Sequence, residues 1–338
     1  MRIAVIGTGL IGASIGLAAR ERLGAVVAGV DPDPEPALAV GAIDEAVSLE
    51  EALDGAEAAF VAVPVQDLPE MTAAVLAAAG PQCAVTDVGS VKSPVVAAVD
   101  DERFVGGHPL AGSEQGGAGA ARADLFDGAP WYLTPTHRTS GIVLEHVHRL
   151  LTELGARPSV IDADAHDRAM ATVSHLPHVL ANVLVALAGD ARPATGPSFR
   201  DATRVAGANP SLWAGIYASN ARALDEEIAR AIAELEDVRT RLAAGESLED
   251  WQAQAAGLRA ALRAAGAGGE LAELHVVVPN RPGVIADVAL TLSREGINIA
   301  DMSLAPSIDM ATGSLDLSVP AGREDRAREL LADLGLSA

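Results

Sequence analysis

The chain has 338 residues, of which 49% are hydrophobic, and a formal net charge of −22 at pH 7. This length allows two or three domains that each bury a core. The negative charge would repel a phosphate backbone, and no basic stripe with interleaved aromatic residues offsets it, so we expect no nucleic-acid partner. Cys83 is the only cysteine. The chain can therefore form neither an internal disulfide nor a cysteine metal cage, and we expect a reducing, cytoplasmic location.

The apolar N-terminal segment MRIAVIGTGLIGASIGLAAR carries internal glycines, and no polar, small-residue cleavage region follows it. We interpret it as part of a folded domain and not as a signal peptide. We also expect no stretch that approaches the length of a membrane span, and hence no membrane partner.

Residues 1–161 alternate short β-branched runs with helical stretches. The runs are RIAVIG, AVVAGVD, AAFVAVP, CAVTDVGS and RFVGGHP. This alternation predicts a parallel sheet with helices on both of its faces.

The first turn of this region has the spacing G-x-G-x-x-G, directly after a predicted strand and at the start of a predicted helix. That context favours a dinucleotide site over a purely structural turn. Glycines permit the tight turn, the approach of a pyrophosphate and close helix packing, and the helix N-terminus offers free N–H groups. The predicted cofactor-binding residues of this turn are Gly7, Thr8, Gly9, Leu10, Ile11 and Gly12.

Asp31 ends the second predicted strand, where an acidic residue can accept hydrogen bonds from the adenosine ribose hydroxyls. A carboxylate there repels a 2′-phosphate, and no arginine follows in DPDPEP. The sequence therefore predicts NAD in preference to NADP.

Two polar segments, DVGSVKS and VGGHPLAGSE, begin where predicted strands end. Ligands of open parallel sheets bind beyond the carboxyl ends of the strands, so we expect Ser90, Lys92, His108, Ser113 and Glu114 to line one crevice. The glycines beside His108 predict room for a flat ligand, and its imidazole could accept a proton from an alcohol as hydride leaves. Two alternatives stay open: His108 as a loop residue that caps a carbonyl, and Lys92 as a surface lysine.

Residues 162–265 are rich in alanine, leucine and arginine, with helical periodicity, and predict a helical domain. His175 and His178 would share a helix face unless Pro177 breaks the helix. His166 lies nine residues before His175, which predicts the opposite face of a regular helix, and no carboxylate completes a ligand set. We therefore expect no metal site.

Arg200 and Arg204, four residues apart, predict one basic helix face that could hold an anionic substrate. An alternative for Arg200 is a surface pair with Asp201. After the helical region, the run AGAGG at 265–269 predicts a flexible linker, and residues 270–338 predict a small α+β domain.

The motifs GTGLIG, DVGSVKS, GGHPLAGSE, SHLPH and FRDATRVAGANPSLW, in this order, resemble the prephenate dehydrogenase family of tyrosine biosynthesis. Its members act on prephenate or arogenate. The resemblance implies an NAD-binding Rossmann domain over 1–161, a helical substrate and dimerisation domain over 162–265, and a homodimer. It implies oxidative decarboxylation of prephenate to 4-hydroxyphenylpyruvate, with arogenate as the alternative substrate.

The resemblance also implies roles for individual residues. His108 would help to remove the proton of the substrate ring hydroxyl, Ser90 would hydrogen-bond that hydroxyl, and Arg204 would bind a substrate carboxylate. Further pocket residues implied in this way are Ser113, Glu114 and His178.

The segment VPNRPGVIADVALTLSREGINIADM resembles the ACT domain, a ferredoxin-like α+β module that senses amino acids. The resemblance implies regulation, with tyrosine as the effector. The residues implied for the regulatory ligand are Asn280, Gly283, Val284 and Ile285.

Two other functions fit parts of the sequence. A β-hydroxyacid dehydrogenase would use a lysine in its helical domain, and residues 162–265 contain none. A non-catalytic sensor of NAD and an amino acid would not need Ser90, His108 and Arg204 together. Neither the motifs nor their spacing distinguishes prephenate from arogenate.

Overall fold

The computed structural model forms two compact units, Met1–Ile232 and Ala233–Ala338. The predicted domain limits after residues 161 and 265 remain predictions. The structure describes residues 1–112, 115–189, 196–267, 271–279, 281, 284–299, 301–307 and 311–337.

The first unit contains an eight-stranded sheet with the order β3-β2-β1-β4-β5-β6-β7-β8. All neighbouring strands run parallel except β6 and β7, which are antiparallel. The strands are β1 (Arg2–Ile6), β2 (Val26–Val30), β3 (Glu45–Ala46), β4 (Ala58–Val61), β5 (Ala84–Asp87), β6 (Phe104–Pro109), β7 (Pro130–Thr134) and β8 (Arg157–Val160).

In the described part of this unit, α-helices follow and flank these strands, and two apolar cores contain side chains from the sheet and the helices packed on it. The helices are α1 (Leu10–Leu23), α2 (Glu35–Ala39), α3 (Leu49–Leu53), α4 (Leu68–Ala78), α5 (Ser93–Ala98), α6 (Gly141–Glu153), α7 (Ala163–Met170), α8 (Leu176–Ala188), α9 (Pro197–Thr203) and α10 (Pro210–Ser219). The predicted α/β fold with a mainly parallel sheet is confirmed.

A single π-helical segment, Ala171–His175, joins α7 to α8 without a break. The resulting helical stretch, Ala163–Ala188, contains an 18-residue window with a mean hydropathy of 1.5, of which 22% is buried, so by length and composition alone it could cross a membrane. The expectation that no stretch reaches this length was therefore wrong. The exposed apolar side chains of α8 include Val183, Leu184, Val185 and Leu187.

Helix α11 (Ala221–Ala243) crosses the limit between the two units. The second unit contains α12 (Glu249–Ala267), β9 (Leu271–Pro279), α13 (Val284–Arg294), β10 (Asp301–Pro306), β11 (Thr312–Pro320) and α14 (Glu324–Asp333). Its antiparallel sheet has the order β10-β11-β9. Alternate residues of β9, namely Leu274, Val276 and Val278, enter the core, as expected for a sheet with one buried face.

The predicted linker at 265–269 was partly wrong. Residues 265–267 continue α12, because alanine favours the helix strongly enough to extend it. Residues 268 and 269 lie outside the described part of the chain.

Candidate active site

The glycine turn between β1 and α1 has the shape that a dinucleotide needs. Gly7 has φ +92°, and a Cβ there would lie 2.5 Å from the carbonyl oxygen of Ala62. A Cβ at Gly12 would collide with the carbonyl of Gly7, whereas Gly9 faces open space. Two glycines are thus required by packing, and the third leaves the backbone accessible to a ligand.

Asp31 lies beside this turn. Its Oδ2 accepts a hydrogen bond from the backbone N–H of Thr8 at 2.6 Å, and its Oδ1 accepts one from Asp33 at 2.9 Å. Among the described residues, the buried hydroxyl of Thr8 has no partner. Leu10 and Ile11 open α1 and pack against the core. An uncapped helix N-terminus, an open glycine and a carboxylate together fit the pyrophosphate and ribose of a dinucleotide.

A cavity of about 300 Å³ lies at the end of β6, within the first unit. Ser90 and His108, which were expected to share one crevice, both line it. His175 and Trp213 from the helical region also line it. The cavity therefore combines groups from the sheet with groups from the helices that follow it.

His108 lies inside β6, opposite Tyr132 of β7, and is 8% exposed. Its expected position in a loop was wrong, because the antiparallel pairing with β7 extends the strand past it. The neighbouring glycines also differ from expectation. A Cβ at Gly107 would lie 2.5 Å from the carbonyl oxygen of Asp87, and one at Gly106 would collide with Thr134. These glycines make room for the protein itself and not for a ligand.

His108 belongs to a buried hydrogen-bonded relay, Asp167–His166–His108, that was not predicted from the sequence. His166 Nδ1 lies 2.8 Å from Oδ1 of Asp167, and His166 Nε2 lies 2.9 Å from Nδ1 of His108. A carboxylate accepts, so Nδ1 of His166 carries a proton. When the His166 ring carries this one proton only, its Nε2 accepts from Nδ1 of His108, and His108 then keeps its lone pair on Nε2, the atom that a general base would use.

Burial lowers the pKa of His108 well below 6.5, and the nearby groups His166, Lys92 and His175 lower it further. Burial alone would raise the pKa of Asp167. Hydrogen bonds from His166 and from the backbone N–H groups of Lys92 (2.7 Å) and Ser93 (2.8 Å) more than compensate, so that pKa is lowered. The relay thus joins a neutral imidazole to a fixed carboxylate.

Lys92 is fully buried and is not among the residues that line the cavity, so both the surface alternative and its expected place in the crevice lining were wrong. Its Nζ forms an ion pair with Asp87 and donates to the carbonyl of Gly107 at 2.7 Å. Asp87 in turn accepts from the N–H of Gly107 at 3.1 Å. Burial lowers the pKa of Lys92, and Asp87 opposes this effect. Lys92 and Asp87 together bind the backbone carbonyl and the backbone N–H of Gly107, the residue that precedes His108.

His175 and His178 both contact Trp213, with ring centroids 6.0 Å and 3.4 Å away. His166 contacts His108, and His175 lines the same cavity as His108, so their expected placement on opposite faces was wrong. The π-helical segment Ala171–His175 lies between them and changes the angle per residue that a regular helix would give.

Arg204 opens a short 3₁₀ turn, Arg204–Gly207, after α9 has ended at Thr203. The expectation that Arg200 and Arg204 lie on one face of a continuous α-helix was therefore wrong. Burial lowers the pKa of His178, and the positive charge of Arg204 lowers it further, which places Arg204 within electrostatic reach of that ring.

Four predicted site residues, Ser113, Glu114, Asn280 and Gly283, lie outside the described residues. Val284 and Ile285 begin α13, where Val284 is buried in the core of the second unit. A regulatory role for these residues remains a prediction.

Three family profiles match successive parts of the chain. "Prephenate dehydrogenase, nucleotide-binding domain" matches residues 15–160, "Prephenate dehydrogenase, dimerization domain" matches 162–264, and "ACT domain" matches 272–335. The predicted nucleotide-binding, helical and ACT parts are thereby confirmed.

Individual prephenate and arogenate dehydrogenases are also similar to the chain. Prephenate dehydrogenase of Bacillus subtilis is 32% identical over 350 aligned positions, which cover 96% of this chain and 94% of the relative. The crystal structure of Aquifex aeolicus prephenate dehydrogenase, in complex with hydroxyphenyl propionate and NAD⁺, matches with 27% identity and a TM-score of 0.69, over 77% of this chain and 97% of that one. Synechocystis arogenate dehydrogenase matches with 32% identity and a TM-score of 0.68, over 77% of this chain and 99% of that one. The chain belongs to the prephenate dehydrogenase family.

Proposed function

We propose that the chain catalyses the NAD-dependent oxidative decarboxylation of prephenate to 4-hydroxyphenylpyruvate. The observation that carries this proposal is the Asp167–His166–His108 relay, which ends at the cavity beside Ser90. A buried imidazole with its lone pair directed away from its hydrogen-bonded partner is suited to take a proton from an alcohol.

NAD is the proposed cofactor, and the glycine turn with Asp31 would hold its pyrophosphate and adenosine ribose. When bound, NAD supplies an acceptor for the hydride that leaves the substrate. Asp31 favours a ribose with a free 2′-hydroxyl, because its carboxylate would repel the 2′-phosphate of NADP.

His108 acts on the substrate hydroxyl at C4. As hydride leaves C4, Nε2 of His108 accepts the hydroxyl proton, and the resulting imidazolium is stabilised through His166 by the carboxylate of Asp167. Ser90 hydrogen-bonds the same hydroxyl and holds it against His108. Carbon dioxide leaves from C1 with its bonding electrons retained by the ring, which becomes aromatic and makes the step irreversible.

Positive charge near the cavity would bind the substrate carboxylates. Arg204 is the proposed carboxylate ligand, and His178, stacked on Trp213, lies within its electrostatic reach. Glu114 and Ser113 are proposed as further pocket residues on the strength of the sequence resemblance.

The proposed assembly is a homodimer in the cytoplasm. Helix α8 exposes Val183, Leu184, Val185 and Leu187 within the segment that matches a dimerisation domain. Exposed apolar side chains at this density mark a surface that another protein covers. Tyrosine is the proposed effector of the ACT domain.

The alternative substrate is arogenate, which differs from prephenate by an amino group in place of the keto group. Relatives at 32% identity include one named for each activity. Steady-state formation of NADH at 340 nm, with NAD and either substrate, tests the proposal. A higher kcat/KM with prephenate is expected, a higher value with arogenate would reverse the substrate assignment, and no NADH with either would refute the function.

A further inference from the structure

A second histidine of the cavity, His175, is held by an amide at the end of α10. Asn220 is 5% exposed, and its Nδ2 lies 2.8 Å from the backbone carbonyl oxygen of Asp167 and 3.1 Å from Nδ1 of His175. A carbonyl oxygen can only accept a hydrogen bond, so the atom beside it must be the amide nitrogen. This contact fixes the orientation of the Asn220 side chain.

The orientation of Asn220 determines the tautomer of His175. Because the amide nitrogen has donors only, Nδ1 of His175 must accept, and the proton of the neutral ring resides on Nε2. Among the described residues, Nε2 has no hydrogen-bond partner, and the residue lines the same cavity as Ser90 and His108. His175 thus brings to the cavity lining a ring N–H that no described residue accepts.

The charged and titratable groups around His175 come from three elements. They are His166 and Asp167 of α7, His178 of α8, and His108 of β6. Burial lowers the pKa of His175 to about 4, with Asp167 raising it and the two helical histidines lowering it. The ring is therefore neutral across the range in which an enzyme of this kind is assayed.

We propose that His175 binds the substrate as a neutral donor, giving its Nε2–H to an acceptor oxygen, and that Asn220 is the positioning residue that fixes this tautomer. The inference rests on the proposed function for the identity of the substrate. Prephenate offers carboxylate and keto oxygens that can accept. A donor of this kind cannot accept from the ammonium group of arogenate, so its partner in arogenate would have to be a carboxylate.

The tautomer can be measured without any substrate. Long-range ¹H–¹⁵N correlation of the ¹⁵N-histidine-labelled full chain distinguishes a protonated ring nitrogen from an unprotonated one, and the signal missing in His175→Gln identifies the residue. We expect a protonated Nε2 and an unprotonated Nδ1 in the range pH 6–8. A protonated Nδ1, or an imidazolium, would overturn the proposal. This result does not depend on whether the enzyme turns over prephenate.

Steady-state kinetics then test whether His175 contacts the substrate. In His175→Leu the donor is lost, and KM should rise with kcat largely kept, roughly ten- to hundred-fold for a carboxylate acceptor and roughly two- to ten-fold for the keto oxygen. His175→Gln offers an amide N–H near the same place and should recover most of the loss. His148→Leu, on the exposed face of α6, serves as the matched control. A wild-type KM in His175→Leu, or equal losses in the Leu and Gln variants, would overturn the proposal.

The comparison of substrates identifies the oxygen. Equal increases in KM for prephenate and arogenate point to a shared carboxylate, and a larger increase for prephenate points to the keto group. A larger increase for arogenate would contradict a donor-only role. Wild-type protein that forms no NADH with either substrate would instead refute the proposed function, and the spectroscopic result would stand by itself.

The variant Asn220→Asp distinguishes a positioning role of Asn220 from a purely structural one, because only the first predicts a new pH dependence of KM. The introduced carboxylate accepts from Nδ1 of His175 and raises its pKa. Below that pKa the ring still donates from Nε2, and above it Nε2 becomes an acceptor, so KM should increase with pH. Because His108, His166, His178 and Asp167 are present in both proteins, the difference from wild type isolates His175. A KM in Asn220→Asp that varies with pH as in wild type would refute the positioning role.

Discussion

Replacing Asp167 by asparagine is the perturbation that distinguishes a working relay from an isolated histidine. The carboxylate accepts from His166 Nδ1 at 2.8 Å and from two backbone N–H groups at the start of α5. Oδ1 accepts from both His166 and the N–H of Lys92, whereas Oδ2 accepts from the N–H of Ser93. An asparagine that keeps its oxygen on Ser93 therefore gives up the Lys92 contact and turns its amide nitrogen toward Nδ1 of His166. Nδ1 of His166 must then accept, so the proton of that ring moves to Nε2.

The changed tautomer of His166 in turn changes the tautomer of His108, which lines the cavity. With Nε2 of His166 protonated, Nδ1 of His108 becomes the acceptor, and the proton of His108 moves to the Nε2 that should receive the substrate proton. Loss of a positioned general base costs about 10²–10⁴-fold in rate, so kcat of Asp167→Asn should fall within that range. Since the change does not touch the glycine turn, the affinity for NAD should be kept.

The assay is NADH formation at 340 nm with saturating NAD and prephenate, accompanied by thermal melts. Asp164→Asn is the matched control, because Asp164 also lies on α7, is exposed, and accepts from the hydroxyl of Ser93. Its kcat should stay close to that of wild type. A folded Asp167→Asn variant with kcat within threefold of wild type would refute the relay.

Asp31→Ser should weaken NAD binding and relax the preference over NADP; faster wild-type turnover at limiting NADP than at limiting NAD would contradict this role. Arg204→Gln should raise KM by tens-fold, because a charge-assisted contact contributes roughly 1.5–3 kcal/mol, whereas Arg200→Gln should do much less. Equal increases in KM for the two arginine variants would mean that the basic surface, and not Arg204 alone, sets the affinity for the substrate. Removal of residues 270–338 should leave an active enzyme that tyrosine no longer inhibits, since tyrosine bound to the ACT domain would be coupled to the catalytic site by about 1–3 kcal/mol. Unchanged, competitive inhibition after truncation would assign tyrosine to the catalytic cavity instead.

The local features of the fold were predictable from short stretches of sequence. A glycine turn between a strand and a helix is specified by residues close together in the chain, and Gly7, Gly12 and Asp31 have the geometry that such a turn requires. The alternation of strands and helices likewise predicted the mainly parallel sheet.

The relay was not predictable in this way, because its members are brought together by long-range packing. His108 and His166 are 58 positions apart, and the pairing of β6 with β7 that surrounds His108 runs against the direction of the other strands. The phase of His175 relative to His166 depends on a π-helical segment that no periodicity in the sequence revealed. The adjacent pair His166 and Asp167 in AHD was the signal that could have suggested a carboxylate-bound imidazole.

The central claim is that His108 accepts the substrate proton, and the pH dependence of kcat/KM for prephenate tests it most directly. The base must be unprotonated, and burial lowers its pKa, so wild-type activity should be lost only as pH falls through a value well below 6.5. His108→Ala should lower kcat by about 10²–10⁴-fold and abolish this acid limb. Near-normal turnover in His108→Ala with the acid limb intact would contradict the account.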